Sequence, residues 1–412
     1  QMAGGTCAAL PPAPFVDLGA SVAVLGGTLS ESTALAASTK YLLASQLFVP
    51  SGKSLTIPAG TTIYALPSNI ASNAAPVIVV EKGATIDARG TMANPITMTT
   101  VLAESALDSS VSFSTDTAHS RSIALGRRGK WGGLILLGNA PTSAATPKEI
   151  EGISGYTYGG SDPADSSGTL QYVRVWHGGA AIAADNEING ITFGGVGAGT
   201  IVDHCEVAFN LDDGFEFFGG TVNVKYLSVL FVGDDAFDSD EGYQGKGQFL
   251  FAMTGAQGNH GTEMDSKTGS DSSGNPNFNS MPRSHPAFYS MTIIGGGANG
   301  RTGGLMRLRE GTGGKFGNVI LTNPTDIGVR IGDCGLEDVT QTLPAASVSI
   351  GVGGSDPVSA GYLYFSSNNI VSGLPTSGSL FSTDNSCPVA IKSFSAITAD
   401  PALMSTHDLW ST

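Results

Sequence analysis

Charge is scarce in this sequence of 412 residues: Asp, Glu, Lys and Arg together make up only 13%. No basic cluster stands out, and the densest, 127–130 (RRGK), is too short to track a phosphate backbone. With 20 basic against 35 acidic residues the formal charge is −15, which argues against nucleic acid as a partner. Long apolar runs are missing too, so no stretch approaches the ~18 residues of a helical membrane span. Cysteine is sparse: Cys7, Cys205, Cys334 and Cys387 lie far apart with no CxxC pair, so no zinc site is expected. Asn-x-Ser/Thr acceptors are lacking, and only 385–387 (NSC) is marginal. The chain opens at Gln1 without a leader, as a mature secreted chain or a trimmed piece would.

What fills the sequence instead is glycine, 57 residues of it, with Ser, Thr, Ala and Val. Such a composition suits many tight turns joined by short strands. Apolar runs closed by Gly, Asn or Asp follow one another: 22–26, 41–43, 46–49, 54–57, 61–64, 77–80, 84–87 and 96–99. They return at 129–137, 288–294, 319–321, 348–350 and 362–365. Strands this short and this regular predict a sandwich, a barrel or a β-solenoid. No amphipathic helix longer than a turn or two is visible. Polar segments at 102–130, 153–167 and 254–286 read as excursions, the last carrying His260 and His285. Long loops on a rigid scaffold are where binding is expected. The organisation expected is one domain: an irregular lead-in over 1–20, a parallel β-helix over 21–395 and a capping tail over 396–412.

A repeat selects the solenoid. Residues 210–216 (NLDDGFE) recur as 232–238 (VGDDAFD), which sets Asp212, Asp213, Phe215 and Glu216 each 22 residues before Asp234, Asp235, Phe237 and Asp238. The strands leading in, 204–209 (HCEVAF) and 226–231 (YLSVLF), keep the same offset. Adjacent coils of a β-helix lie ~4.8 Å apart, so these acidic side chains stack. Segment 260–265 (HGTEMD) reads as a third copy, with Glu263 over Asp238 and Asp265 over Asp240. Segments 304–309 (GLMRLR) and 328–332 (GVRIG) invert the charge, and the column predicted is Glu216, Asp238, Glu263, Arg307, Arg330. A like-charge ladder needs a cation, a basic partner or shared protons. Two readings stand: the two halves neutralise each other as a structural stack, or a cation or saccharide binds where the signs meet.

Calcium, which takes several hard oxygen ligands, is the candidate ion, with Asp212, Asp213, Asp234, Asp235, Asp238 and Asp240 as candidate ligands and Glu241 beside them. Alternation along a strand prevents one ion from collecting them all, which favours the pairs Asp212/Asp234 and Asp213/Asp235. The bland alternative makes them turn caps bonded to backbone N–H groups. Were the protein an enzyme, Asp235, Asp238 and Arg307 would be the catalytic candidates, as a calcium-assisted polysaccharide lyase or a glycosidase. Phe215, Phe217, Phe218, Phe231 and Phe237 read as core and turn ladder, while Trp131, Trp176 and Tyr243 are the candidates for sugar stacking. Neither a paired-histidine metal spacing nor a Gly-x-Ser-x-Gly elbow is present. Cys205 falls at an inward strand position as a buried thiol, and Cys334 and Cys387 sit where neighbouring C-terminal coils allow a bridge.

Segments 51–63 (SGKSLTIPAGTTI), 83–90 (GATIDARG), 94–100 (NPITMTT), 130–134 (KWGGL), 194–200 (GGVGAGT) and 212–220 (DDGFEFFGG) resemble a family of secreted or surface right-handed parallel β-helix proteins of bacteria and algae, pectate-lyase-like in fold. The resemblance runs from about Val22 to the tail. It implies an all-β, right-handed parallel β-helix with loop insertions and an extracellular or cell-surface setting. Activity is left open, because lyases, hydrolases, adhesins and tailspikes share the scaffold. The expectation is a non-catalytic structural or adhesive solenoid whose partners are copies of itself, in a filament or lattice, or a surface polysaccharide.

Overall fold

The computed structural model describes residues 15–19, 22–37, 39–68, 74–103, 107, 127–145, 147–180, 187–266, 268–270, 277–333, 363–365, 369–383 and 394–397. Strands dominate them, 27 joined in one sheet whose pairings are all parallel, with a two-stranded antiparallel hairpin, Lys148–Glu149 against Thr157–Tyr158, beside it. The chain winds as a right-handed parallel β-helix with three faces, each strand pairing with its equivalents one coil before and one coil after. Face A runs through Val173–Trp176, Glu206–Ala208 and the second half of Asn223–Leu230. Face B runs through Ile191–Gly194, Phe215–Phe218 and Phe237–Asp240. Face C runs through Gly168–Gln171, Ile201–Asp203 and the first half of Asn223–Leu230.

Alternation builds the core. Along Phe215–Phe218, Phe215 and Phe217 point inward and are fully buried, while Glu216 and Phe218 point outward. Inward residues stack on their equivalents, Phe215 on Phe237 with centroids 5.9 Å apart and Phe193 on Phe217 at 5.2 Å, while Tyr243, from beyond the next strand, stacks on Phe217 at 4.4 Å. Between faces C and A the chain turns on one residue of positive φ, and the residues there are not glycine: Tyr172 (49°), His204 (53°), Tyr226 (52°) and Phe249 (60°). A left-handed side chain costs about 1 kcal/mol. Stacking offsets that cost here, the rings lying 4.4, 4.3 and 4.8 Å apart in succession. Corners pack as tightly between faces A and B, where a Cβ on Gly233 would lie 1.7 Å from the Leu211 carbonyl oxygen.

Two details differ from the sequence reading. Runs 41–43 and 46–49 are one strand, Lys40–Val49, which bends from face A to face B without a break. Segment 153–167 is not a free surface loop, because Ile150, Ile153 and Tyr158 bury themselves against Val79, Ile135 and Leu137 on the outside of face B as a second small core. Its Gly and Tyr content suggested solvent, but the outward residues beneath it are apolar and need a cover. The lead-in is tied down where it is described: Val16 N–H donates to the Val101 carbonyl at 2.8 Å, and Phe15 bridges Leu102. Cys205 is buried as expected, and burial pushes its thiol up to about 12. Cys7, Cys334, Cys387, run 348–350 and the tail beyond 397 lie outside the described residues.

Candidate functional site

The charged column lies on the outside of face B, in the register read from the repeat. Glu216 pairs with Asp238, Asp238 with Glu263, Glu263 with Arg307 and Arg307 with Arg330. The column continues at both ends, upward through Thr192, Ile135, Val79 and Phe48 and downward to Ser382. A 25-residue step and a long insertion do not disturb it, because extra residues leave the coil at corners while strands keep their pairing.

The corner from face A to face B supplies the aspartates. Asn189 Oδ1 accepts from Asp213 N–H at 3.3 Å, Asp213 Oδ1 from Asp235 N–H at 2.8 Å, and Asp235 Oδ1 from His260 N–H at 2.5 Å. Each side chain thus caps the corner of the following coil, in the manner of turn aspartates. The carboxylates also converge: ligand oxygens of Asp212, Asp213 and Asp234 lie within 4.8 Å of one another, and so do those of Asp213, Asp235 and Asp238. Asp240 belongs to neither trio; its Oδ1 accepts from Glu241 N–H at 2.6 Å. Glu241 is buried where it receives Tyr158 Oη at 2.5 Å and the Lys148 ammonium.

Burial and mutual repulsion raise the carboxyls of Asp213, Glu216, Asp235, Asp238 and Asp240 well above the usual range. The same causes push Asp212 up to about 7. Asn189 donates to Glu216 from the side, whereas the buried Asp238 Oδ1 has no hydrogen-bond partner among the described residues. One coil further the sign changes. Arg309 meets Glu263 at 2.8 Å and Asp265 at 2.9 Å, and Arg307 Nε lies 3.5 Å from Glu263. Burial still pushes Glu263 up to about 7 and Asp265 up to about 6 against the pull of Arg309. The His260 imidazole, lowered to about 4 by burial, is neutral at pH 7 and donates from Nδ1 to the Gly304 carbonyl at 2.5 Å. Chemically this is a stack whose acidic rungs are shifted toward the protonated form by burial and repulsion, with ion pairs at its junction.

The catalytic candidates take different places in it. Asp235 is 1% exposed and caps a corner, Asp238 sits among the acids of face B, and Arg307 is drawn to Glu263. The sugar-stacking candidates need correction. Trp131 and Tyr243 are fully buried, Trp131 donating to the Trp176 carbonyl and Tyr243 lying in the core stack, so neither offers a face to solvent. Trp176 is half-buried, with Arg174 over its ring and Glu206 on its indole N–H. His260 and His285 are buried because they belong to the coils: His260 N–H donates to Asp235 Oδ1 and His285 N–H to the Tyr243 carbonyl. Sequence reasoning missed Tyr158 and Lys148, which arrive from a hairpin outside the repeat. It also missed the clamp of Arg309, although its offset of two from Arg307 places it over Asp265, on the side of the strand that faces out.

A β-helix with a stacked, sign-changing outer column is the class that fold and site define. The chain belongs to the pectate-lyase-like beta-helix domain family, whose sequence model matches residues 27–110 and 119–348. No curated protein and no solved structure matches the chain.

Proposed function

We propose that this protein is a non-catalytic structural or adhesive rod of the cell surface or extracellular space, able to assemble with copies of itself. The observation that carries the reading is the face B column, whose charges are answered from coil to coil by Arg307 and Arg309. Aspartates that cap the next corner have the same sense, since Asp213 and Asp235 bind backbone and hold coils in register. Open strand edges at the ends of a parallel solenoid supply the means of end-to-end growth. Negative-stain microscopy and light scattering of the native protein test assembly, and strictly monomeric particles at high concentration would remove it. An activity screen on uronate-containing glycans tests the rest. Turnover lost in Asp235→Asn or Arg307→Ala with the fold intact would overturn the structural reading.

A second reading is favoured by the two carboxylate trios: calcium held at Asp212, Asp213 and Asp234 or at Asp213, Asp235 and Asp238. In that reading the protein is a calcium-assisted lyase or a hydrolase of acidic glycans, with Arg307 beside the acids. Ion binding raises the melting temperature by mass action. An unchanged melting curve in chelator, with no metal by elemental analysis, leaves the aspartates as corner caps and shared protons.

A further inference from the structure

Two clusters of opposite charge stand unanswered on different faces of the rod. The positive one lies in a groove on face C, with a volume of about 720 Å3, that runs along the helix axis from Ile201 past Lys225 and Lys246 to Lys315. Its walls are two outward columns. One passes from Ile201 to Asn223, and further along from Lys246 through Ala287 to Lys315; the other passes from Asp203 through Lys225, Gln248 and Tyr289 to Gly317. The single carboxylate in the lining, Asp203, lies 2.6 Å from His204 Nδ1, and none of the three ammonium groups has an ion-pair partner among the described residues. Lys225 and Lys246 stand on adjacent coils and Lys315 two coils further, a span of about 14 Å at the spacing of neighbouring strands.

The negative cluster belongs to the hairpin laid over face B. Between its strands, Lys148–Glu149 and Thr157–Tyr158, runs the turn 150–156 (IEGISGY), where Glu151, Ser154 and Gly155 are exposed, as Glu149 is beside it. Two more acids stand close to the hairpin. Burial and then the charge of Glu187 raise the Glu151 carboxyl, and burial and then Glu81 raise the Tyr156 phenol. None of Glu81, Glu149, Glu151 and Glu187 forms an ion pair among the described residues. The hairpin's own ammonium, Lys148, is held by Glu241. Like charges gathered in this way repel, and a basic surface that reaches them relieves the repulsion.

Shape and position favour one partner. The hairpin stands a layer above its face and its turn is narrow, built on Gly152, Ser154 and Gly155, whereas the lysines line a hollow whose floor drops at Ala287 and Gly317. At the rim of that hollow Tyr226 and Phe249 are 43% and 40% exposed, and exposed aromatic rings are enriched where proteins meet. Hairpin and groove lie on different faces of one rigid rod, so a single copy cannot bring its own two clusters together. With only 13% of its residues charged, the chain carries its best electrostatic match on a second copy of itself.

We propose that the acidic hairpin of one copy docks in the basic groove on face C of the next, Glu149 and Glu151 meeting Lys225 and Lys246. This rests on the reading that the protein assembles with itself and names the surfaces that do so. The two patches differ, so the contact is heterologous: every docking leaves one hairpin and one groove free, and copies add side by side unless the rotation closes a ring. The test uses two charge-reversed variants, Lys225→Glu with Lys246→Glu and Glu149→Lys with Glu151→Lys, in sedimentation velocity alone and mixed in equal amounts. Native protein is expected to associate, about tenfold or more weakly in high salt than in low. Each variant alone sets like charge against like and should lose association by at least about tenfold, and Glu149→Gln with Glu151→Gln several-fold. The mixture should regain it, because the acidic groove of one variant then meets the basic hairpin of the other, which misfolded chains could not do. Reversed variants that associate as strongly as the native protein, or a mixture no better than its components, would overturn the inference and leave growth through the rod ends standing. Native protein that stays monomeric at high concentration would remove this inference and the assembly reading together. Poly-glutamate binding to the lysines of such a monomer would assign the groove to a different acidic partner and equally overturn the contact between copies.

Discussion

The same outward column of face B is greasy in one half of the molecule and ionic in the other. Phe48, Val79 and Ile135 occupy it in the early coils, and Ile135 lies fully buried beneath the hairpin that brings Ile150 and Tyr158. Glu216, Asp238, Glu263, Arg307 and Arg330 occupy it later, where the cover is thinner and partners are charged. An outward position is thus no commitment to water. Its chemistry follows what is laid over it, and the backbone pairing is indifferent to the change.

Exchanging the two characters should be costly in proportion to dryness. Ile135→Asp places an unanswered charge under the hairpin and is expected to destabilise by about 5 kcal/mol, the extreme of single-residue effects. Urea unfolding reads it, and a loss under about 2 kcal/mol would mean that the hairpin does not seal the column. Removing the clamp comes next: Arg309→Met leaves Glu263 and Asp265 facing each other and should cost about 3 kcal/mol at pH 8. A neutral outcome there would show that the ion pairs at the junction are ornamental.

Acidity sharpens the contrast further, since the ionic half carries carboxyls raised toward neutrality. Asp212 and Glu263 move from 3.8 and 4.5 to about 7, and Asp265 from 3.8 to about 6. Over that interval the folded chain holds more protons than the unfolded one, so stability is greatest on the acid side and declines as pH rises. The melting temperature should be a few degrees higher at pH 5 than at pH 8, and a flat or rising profile would contradict the shared-proton picture. Smallest is Asp238→Asn, expected to stabilise by about 1 kcal/mol at pH 8 and by less as the pH falls, since burial raises the Asp238 carboxyl. A destabilised variant whose chelator sensitivity has vanished would favour calcium instead.

Much of this was legible in the sequence, and for one reason. Phe215 and Glu216 recur as Phe237 and Asp238 because the inward ring and the outward acid must both keep their places for the coils to stack. Register therefore survived even to Arg307 and Arg330. Pieces that leave the coil obey no such rule. The hairpin carrying Lys148 and Tyr158 has no repeat partner, and nothing in its polar composition announces what it covers. Trp131 and Tyr243 looked like surface rings amid glycines, yet those glycines are what let the backbones close over them. The lysines of face C fall at uneven offsets, because the insertion ending near Pro286 separates Lys246 from Lys315, and only the folded coil brings them into one groove.

Hydrogen bonds between coils point along the axis, so a rod pulled from its two ends bears the load on them directly. Corner caps such as Asp213 to Asp235 N–H and Asp235 to His260 N–H cross successive boundaries alike. Face B does not treat them alike. Arg309 rivets its own coil to the one before it, whereas Glu216 and Asp238, stacked on adjacent coils, share no ion pair among the described residues. In alkaline medium that boundary becomes the tensile weak plane, and the rod is set to part there while the riveted joint holds.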